Sequence, residues 1–190
     1  RDNCPVMIVN PSILQTPPVF KKFVVGIDFS RSCECALCFA VEFAREYGSK
    51  LFLFHMLPVP PLPKYSKADY EADIDSAKQR LREFCQEFIE ETEHEYTVWG
   101  GALPHLEILK CVENKDADLI MMGSHTKEKN GKWYAGSVVE RTSYRSDCPV
   151  ITVTDPEVLL PWEDNLTAKI QSQKGRDRSI RVFSKKRKNG

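Results

Sequence analysis

Five short apolar runs, separated by amphipathic stretches, restrict the fold of this chain more than any other feature. The runs are rich in Val, Ile, Leu, Phe and Met and lie at residues 23–27, 51–56, 96–99, 119–122 and 150–153. Strands that are apolar throughout are covered on both faces, as in the parallel sheets of α/β proteins. Because strand and helix patterns alternate, the sequence predicts a parallel sheet joined by right-handed crossover helices.

The stretches between the runs carry apolar residues at helical spacing. In the first stretch Cys33, Ala36, Leu37 and Ala40 fall on one face, and Gly48 is a typical residue to follow the end of a helix. We therefore expect an α/β fold. Its doubly wound, Rossmann-like sheet would have five parallel strands in the order 3-2-1-4-5, with helices on both faces.

A short repeat connects the two ends of this pattern. Residues 1–11 read RDNCPVMIVNP and residues 145–156 read RSDCPVITVTDP, so Cys-Pro-Val precedes an alternating run twice. We interpret the first occurrence as the terminal strand of a preceding copy of the same domain, followed by a proline-containing linker. The predicted division is 1–10 for that strand, 11–20 for the linker, 21–154 for the domain, and 155–190 for a C-terminal extension with a basic tail.

Charge and cysteine content restrict the class of protein. Lys plus Arg and Asp plus Glu both number 27, so the net charge indicates no preference for nucleic acid or an anionic membrane. No apolar run approaches the roughly 20 residues needed to span a bilayer.

Seven cysteines, an odd number, lie partly within apolar stretches. They indicate reduced, buried thiols and hence a cytoplasmic location.

Two features of the sequence suggest further sites but have plainer explanations. Eight Lys or Arg and a single acid, Asp177, lie between residues 174 and 188. Such a tail either binds an anionic surface or is a solvated terminus. Cys33, Cys35 and Cys38 resemble part of a metal site, but no second ligand pair lies at suitable spacing. Small buried side chains are the better interpretation of these cysteines.

Candidate ligand-binding residues lie where the predicted strands end. Asp28 follows the first strand, His55 and Met56 close the second, and Gly123 closes the fourth. Ligands of open parallel sheets bind beyond the carboxyl ends of the strands. Gly136 then precedes a helix, whose backbone amides and dipole can hold phosphate oxygens without a cationic side chain.

Each of these residues also has a purely structural interpretation. Asp28 could only cap the following helix, His55 could be a satisfied structural histidine, and His105 could simply start a helix after Pro104. The sequence lacks both a G-x-x-x-x-G-K-[ST] loop and a G-x-G-x-x-G turn after the first strand. P-loop NTPases and dinucleotide dehydrogenases are therefore disfavoured.

Several segments together resemble the universal stress protein family. They are VVGIDFS at 24–30, LFHM at 53–56, LPHLEIL at 103–109, and ADLIMMGSHT…AGSVVE…CPVITV within 117–153. The resemblance covers roughly residues 20–154. It also agrees with the short repeat, because tandem copies are common in that family.

The nucleotide-binding branch of this family carries Gly, two residues, Gly, nine residues, and then Gly-Ser or Gly-Thr. Gly123, Gly136 and Ser137 match that pattern, whereas Thr126 replaces the middle glycine. A β-branched residue is penalised if that position needs a positive φ. The resemblance implies a nucleotide-binding set of Ile27, Asp28, Met56, Met122, Gly123, Thr126, Gly136, Ser137 and Val138.

Within that set, the resemblance implies a division of roles. Ile27 and Met56 would line the adenine pocket, and Asp28 would bond the nucleoside. Met122 and Gly123 would lie beside the ribose and phosphates. Backbone N–H groups of residues 136–138 and the hydroxyl of Ser137 would donate hydrogen bonds to the phosphates.

The function implied by the resemblance is a stress-response regulatory switch. It would bind ATP or a related adenine nucleotide, with or without Mg²⁺, and pair with a second universal stress protein domain in the same chain or in a homodimer. Two alternatives stay open: a dimerisation module in which Thr126 has closed the pocket, and a slow ATPase. We assign no catalytic residue, because the sequence presents no positioned general base or metal-carboxylate cluster.

Overall fold

The structure, a computed structural model, describes residues 5–11, 19–59, 66–89, 91–124, 127–129 and 132–154. Thr126, the 155–190 extension and most of the proposed linker lie outside the described residues. The elements are β1 Val6–Ile8, β2 Lys22–Gly26, α1 Arg31–Tyr47, β3 Lys50–Pro58, α2 Lys67–Ile89, β4 His94–Gly101, α3 Pro104–Lys115, β5 Leu119–Ser124, β6 Lys127–Lys129, β7 Lys132–Tyr134, α4 Ser137–Arg145 and β8 Val150–Thr154.

The main sheet has six strands in the order β1-β8-β5-β2-β3-β4. Five of them are parallel and keep the predicted order 3-2-1-4-5, but β1 is added antiparallel to β8. The prediction of a five-stranded, wholly parallel sheet was therefore wrong, and the sheet is mixed. The physical reason is that β8 would otherwise leave a row of backbone N–H and C=O groups unpaired at an edge.

The repeat in the sequence is expressed as a symmetric strand pair. Aligning the two occurrences of Cys-Pro-Val makes Met7 equivalent to Ile151, and these two residues face each other across β1 and β8. On either side, Val6 pairs with Thr152 and Ile8 pairs with Val150. Val6 thus faces the equivalent of Ile8, Met7 faces its own equivalent, and Ile8 faces the equivalent of Val6. The two strands are therefore related by a local two-fold axis through their central pair.

Helices cover both faces of the sheet, as the apolar runs predict. On one face Phe23 and Val25 of β2 share a core with α1 and α2. On the other face Val24 packs with Phe54 and with Ile108 of α3. Alternate residues of a strand point to opposite faces, so the apolar run of β2 supplies both cores.

Local signals at the ends of α1 agree with its predicted position. The hydroxyl of Ser30 accepts a hydrogen bond from the backbone N–H of Cys33 at 3.2 Å, and Gly48 ends the helix with φ 60°. Cys33 and Cys38 are buried in this helix, as the small-side-chain interpretation expects. Burial raises the pKa of Cys33 and raises that of Cys85 to about 12, so both thiols stay protonated at neutral pH.

The segment between Gly123 and Gly136 contains more structure than the predicted loop. Strands β6 and β7 form a two-stranded antiparallel sheet within it, with Lys127 paired to Tyr134 and Lys129 paired to Lys132. Strands of three residues are too short to give a recognisable periodic pattern. Among the described residues, no helix combines the length and apolar character needed to cross a membrane.

Candidate functional site

A cavity of about 610 Å³ opens at the carboxyl edge of the parallel strands. Its volume lies in the range typical of small-molecule sites, roughly 300–1,000 Å³. Eight of the nine residues predicted for the site line it, and the ninth, Thr126, lies outside the described residues. The eight are Ile27, Asp28, Met56, Met122, Gly123, Gly136, Ser137 and Val138. Their role in binding a ligand stays a prediction.

The sequence reasoning missed part of the cavity wall. Phe54, Ile108 and Val139 line the cavity and also belong to the core beneath the α3 and α4 face. The rest of the described lining comprises Gly26, Pro58, Pro104, Ala135 and the sequence candidate His55. No local signal separates such residues from ordinary core residues, because the same apolar side chains pack inward and end at the cavity surface.

The start of α4 forms one end of the cavity. Gly136 is the residue before this helix and has φ 91° and ψ 145°, which L side chains rarely adopt. No side chain caps the helix, and Ser137, Val138 and Val139 of its first turn line the cavity. The first N–H groups of a helix have no partner within it and carry the positive end of its dipole. This end of the cavity is therefore suited to an anion.

Ser124 stabilises the approach to that helix. Its hydroxyl donates to the carbonyl oxygen of Ala135 at 2.9 Å. Ser124 ends β5 and Ala135 precedes Gly136, so this bond joins the two ends of the intervening segment. The bond places the start of α4 beside the end of β5.

Gly123 has a structural role that the motif did not reveal. A Cβ atom at this position would lie 2.6 Å from the backbone nitrogen of Cys33 and 2.6 Å from the carbonyl carbon of Ser32. Real Cβ atoms essentially never come this close to backbone atoms. The glycine is therefore required for the first turn of α1 to pack on β5, whether or not a ligand binds.

Asp28 lies at the cavity wall and is exposed. One of its carboxylate oxygens accepts a hydrogen bond from the backbone N–H of Ser30 at 3.0 Å. The residue that caps α1 is Ser30 itself, so the simple cap interpretation of Asp28 was wrong. The carboxylate stabilises the turn between β2 and α1 at the place where it faces the cavity.

His55 has the features of a satisfied structural histidine. Its Nδ1 lies 2.8 Å from the carbonyl oxygen of Ile27, so Nδ1 carries the hydrogen and donates. Burial lowers the pKa of His55, and the nearby Arg80 adds to this effect, whereas the bond to Ile27 and the charge of Asp28 oppose it. The ring is therefore neutral at neutral pH.

His105 is buried in the first turn of α3, as the structural interpretation expects. Burial lowers its pKa, and the charges of Arg141 and Arg145 lower it further. Both arginines belong to α4, which packs against α3. His105 is absent from the cavity lining, so the structure gives it no place as a ligand contact.

Metal-binding groups are not clustered in the part of the chain that the structure describes. No set of three or more His, Cys, Asp or Glu side chains there could hold a metal ion. Six described cysteines, including Cys33, Cys35 and Cys38, form no disulfide. The cavity therefore offers an apolar wall, one carboxylate and a helix start.

The chain resembles a known family over most of its length. The family described as "Universal stress protein family" matches residues 20–154. Universal stress protein MJ0531 of Methanocaldococcus jannaschii is 27% identical over 158 residues, covering 79% of this chain and 91% of that protein. The structure of MJ0577 from the same organism is similar with a TM-score of 0.59 and 26% identity, over 72% of this chain and 97% of that one.

Two further structures of similar fold contain adenine nucleotides. A universal stress protein in complex with cAMP has a TM-score of 0.54 and 22% identity over 71% of this chain and 97% of its own. The universal stress protein from Archaeoglobus fulgidus in complex with dAMP has a TM-score of 0.51 and 22% identity over 71% and 98%. At such identities, the likeness shows the fold.

Proposed function

The chain belongs to the universal stress protein family, and we propose that it binds ATP or a related adenine nucleotide as a regulatory switch. The observation that carries this proposal is the cavity at the carboxyl edge of the sheet. It combines an apolar wall with an uncapped helix start behind a glycine at φ 91°. These are the two kinds of surface that a base and a phosphate require.

The apolar wall supports the binding of a flat ring. Ile27 and Met122 are buried, and Met56 is half-buried, along the strand ends that border the cavity. Thioether side chains adapt their shape to a ring and contact it favourably. A purine would be held there mainly by apolar contact, with polar backbone groups at the strand ends to orient it.

The start of α4 supports the binding of phosphate without a cationic side chain. Among the described lining residues there is no Lys or Arg, so the anion would rely on backbone N–H groups and on the helix dipole. Ser137 adds a hydroxyl that is exposed beside these amides. Between the two ends, the Asp28 carboxylate is suited to accept hydrogen bonds from the hydroxyls of a ribose.

Binding, rather than chemical turnover, fits these groups best. The cavity presents one carboxylate and a neutral histidine whose Nδ1–H is already bonded to Ile27. Mg²⁺, where it accompanies ATP, would be held by the phosphates, and Asp28 is the carboxylate in the described lining. A cytoplasmic location belongs to the same proposal and is supported by the described cysteines, which form no disulfide and are mostly buried.

The first test is to identify small molecules released when freshly purified protein is denatured, by mass spectrometry. We expect about one adenine nucleotide per domain, or a calorimetric signal when ATP or AMP is titrated with and without Mg²⁺. An empty protein that gives no heat with any of these would contradict nucleotide binding. The dimerisation module with a closed pocket would then be the better description.

A matched pair of glycine variants tests whether the start of α4 binds the phosphates. Gly136→Ala and Gly48→Ala both force a side chain into a positive φ, 91° and 60° respectively, but only Gly136 lines the cavity. Each should destabilise the fold by roughly 1 kcal/mol or more. Only Gly136→Ala should also weaken ATP binding, by about tenfold. Equal affinities for the two variants would contradict the role of the α4 start.

We also propose that the functional unit contains two domains of this family, either in one chain or in a homodimer. The supporting observation is that β1 is exposed where its counterpart is buried. Val6 and Met7 are 56% and 42% exposed, whereas the equivalent Val150 and Ile151 are 1% and 3% exposed. If residues 1–10 end a preceding copy, the body of that copy would cover β1 as this domain covers β8.

Light scattering on a sizing column tests the pairing. We expect the chain to associate into pairs, and we expect Met7→Lys to weaken that association because a charge would enter the covered face. Val19→Lys is the control, since Val19 is 64% exposed and lies outside β1. A wild-type chain that stays monomeric at high concentration would contradict the pairing.

A further inference from the structure

We propose that Phe29, His55 and Arg80 are positioning residues that hold Asp28 at the cavity. This inference rests on the proposed nucleotide function. None of the three residues belongs to the predicted nucleotide-binding set, and of the three only His55 lines the cavity. The three side chains come from the β2–α1 turn, from β3 and from α2. They meet beside the turn that carries Asp28.

Phe29 occupies a strained backbone conformation immediately after Asp28. Its φ is 64°, in the left-handed region that is unfavourable for an L residue with a Cβ. Strained residues of this kind persist only where the surrounding structure holds them, and they cluster at ligand-binding sites. A side chain that contributes strongly to packing is therefore expected here.

The ring of Phe29 has three close neighbours that can supply this compensation. Its centroid lies 4.5 Å from that of His55 and 5.3 Å from that of Phe84, the latter at an interplanar angle of 85°. The guanidinium carbon of Arg80 lies 4.0 Å from the same ring. Aromatic pairs and a cation over a ring are each attractive contacts. The three contacts together favour the ring position and so oppose the backbone strain.

His55 connects this cluster to strand β3. Its Nδ1–H donates to the carbonyl oxygen of Ile27, the residue before Asp28. On β3 it is followed by Met56, and both residues line the cavity. The bond therefore fixes the peptide that leads into Asp28 relative to the strand that carries Met56.

Arg80 brings α2 into the same arrangement. The charged groups that act on His55 are Arg80 from α2 and Asp28 from the turn, and they act in opposite directions. A neutral His55 keeps the ring stack free of a second positive charge beside Arg80. Displacement of α2 would remove Arg80 from Phe29 and release the turn. The position of α2 is thereby coupled to the carboxylate that we assign to the ribose.

Hydrogen exchange of the nucleotide-free protein tests the positioning role directly. Arg80→Ala should raise the exchange rates of the backbone amides at residues 28–31 by about two- to fivefold, because one wall of the Phe29 site is lost and Arg80 is exposed. Arg82→Ala is the matched control: it removes the same charge from the same helix, but Arg82 lies over Tyr96. Equal exchange in the two variants would overturn the proposal.

The variant Phe29→Gly distinguishes the effect of the ring contacts from the effect of the strained backbone. Glycine accepts φ 64° without penalty, so a purely conformational role would leave the turn unchanged or more stable. The positioning role predicts faster exchange at 28–31 and about tenfold weaker ATP binding. Wild-type exchange in Phe29→Gly would also overturn the proposal, and the surface variant Arg80→Ala remains decisive if Phe29→Gly does not fold.

His55→Asn and His55→Leu test the hydrogen bond. Asparagine can place an N–H donor near the position of Nδ1, whereas leucine fills the space without a donor. We expect slow exchange at 28–31 to be retained largely in His55→Asn and lost in His55→Leu. If wild-type protein binds no nucleotide, the proposed function fails but these exchange measurements still decide the positioning role.

Discussion

The two ends of the sheet differ in how their polar groups are used. At the amino end, charged groups bond to each other and to the backbone. The Asp118 carboxylate accepts from the N–H groups of Lys21 and Lys22 at 2.7 and 3.1 Å, and Lys22 pairs with Asp116 at 3.1 Å. Lys115 bridges to Glu95 in the same region. This end is tied together by its own side chains.

At the carboxyl end, the structure instead leaves space and directs backbone groups toward it. Gly136 opens α4 without a side-chain cap, and Asp28 borders a cavity of about 610 Å³. Positive φ angles occur at both ends, at Phe20 and Asp116 near the amino end and at Phe29 and Gly136 at this end. The comparison indicates that side-chain bonds stabilise the amino end, whereas the carboxyl end leaves a cavity that can serve as a site.

The largest expected effect comes from adding a side chain at Gly123, where strand β5 lies close to the backbone of α1. Gly123→Ala should lower the free energy of unfolding by about 3 kcal/mol, since its Cβ would lie 2.6 Å from the backbone of α1. Gly26→Ala is the control on the neighbouring strand, where the nearest atom is the Cδ1 of Ile108 at 3.4 Å. Urea unfolding compares the two, and a mild effect for Gly123→Ala would show that α1 can shift away.

Variants of Asp28 at the carboxyl end should show whether its carboxylate contributes to ATP binding or only to the stability of the turn. In Asp28→Ala, loss of a charged acceptor is expected to weaken ATP binding by about tenfold to a hundredfold, the equivalent of roughly 1.5–3 kcal/mol. Asp28→Asn keeps the oxygen that accepts from Ser30 and should retain the turn while still losing affinity. Calorimetric titration measures both variants. Unchanged affinity in Asp28→Asn would limit the carboxylate to a turn-forming role.

Asp118→Ala should give the opposite result at the amino end. Removing two carboxylate bonds to backbone N–H groups should cost about 1–2 kcal/mol of stability, because the site is partly exposed. ATP affinity of the folded protein should not change. Thermal unfolding and calorimetric titration together test this, and a loss of affinity without a loss of stability would break the contrast between the two ends.

The smallest expected effect is a dependence of stability on pH. Burial lowers the pKa of His55 and of His105 below the ordinary value of 6.5. The unfolded chain then binds more protons than the folded one as the pH falls through about 6.5, so stability is retained above that pH and declines below it. Urea unfolding at several pH values measures the slope. His105→Gln should make the decline shallower, and an unchanged slope would exclude His105 as a contributor.

Many of the residues at the carboxyl edge of the sheet could be predicted from their positions at the ends of apolar runs. Asp28, Met56 and Gly123 each follow or close an apolar run, and parallel strands bring their carboxyl ends to one edge. The prediction of a shared site needed only this rule and the family pattern. Phe54 and Ile108 could not be predicted as lining residues, since nothing local distinguishes a core side chain that borders a cavity from one that does not.

The role of a residue often depended on neighbours distant in sequence. Gly123 matches a ligand motif, yet its close contact is with the backbone of α1, about ninety residues earlier. Phe29 gave no signal in the sequence, because both its positive φ and its contacts with His55 and Arg80 arise from the packing of α2 and β3 on the turn.

The sequence by itself determined the alternation of strands and helices and the ends of α1. These depend on periodicity and capping, which act over short distances along the chain. Only the tertiary structure decided that Val6 is exposed while Val150 is buried, although both follow Cys-Pro. Strand propensity is local, but burial depends on which elements cover the strand, and β1 has β8 on one side alone.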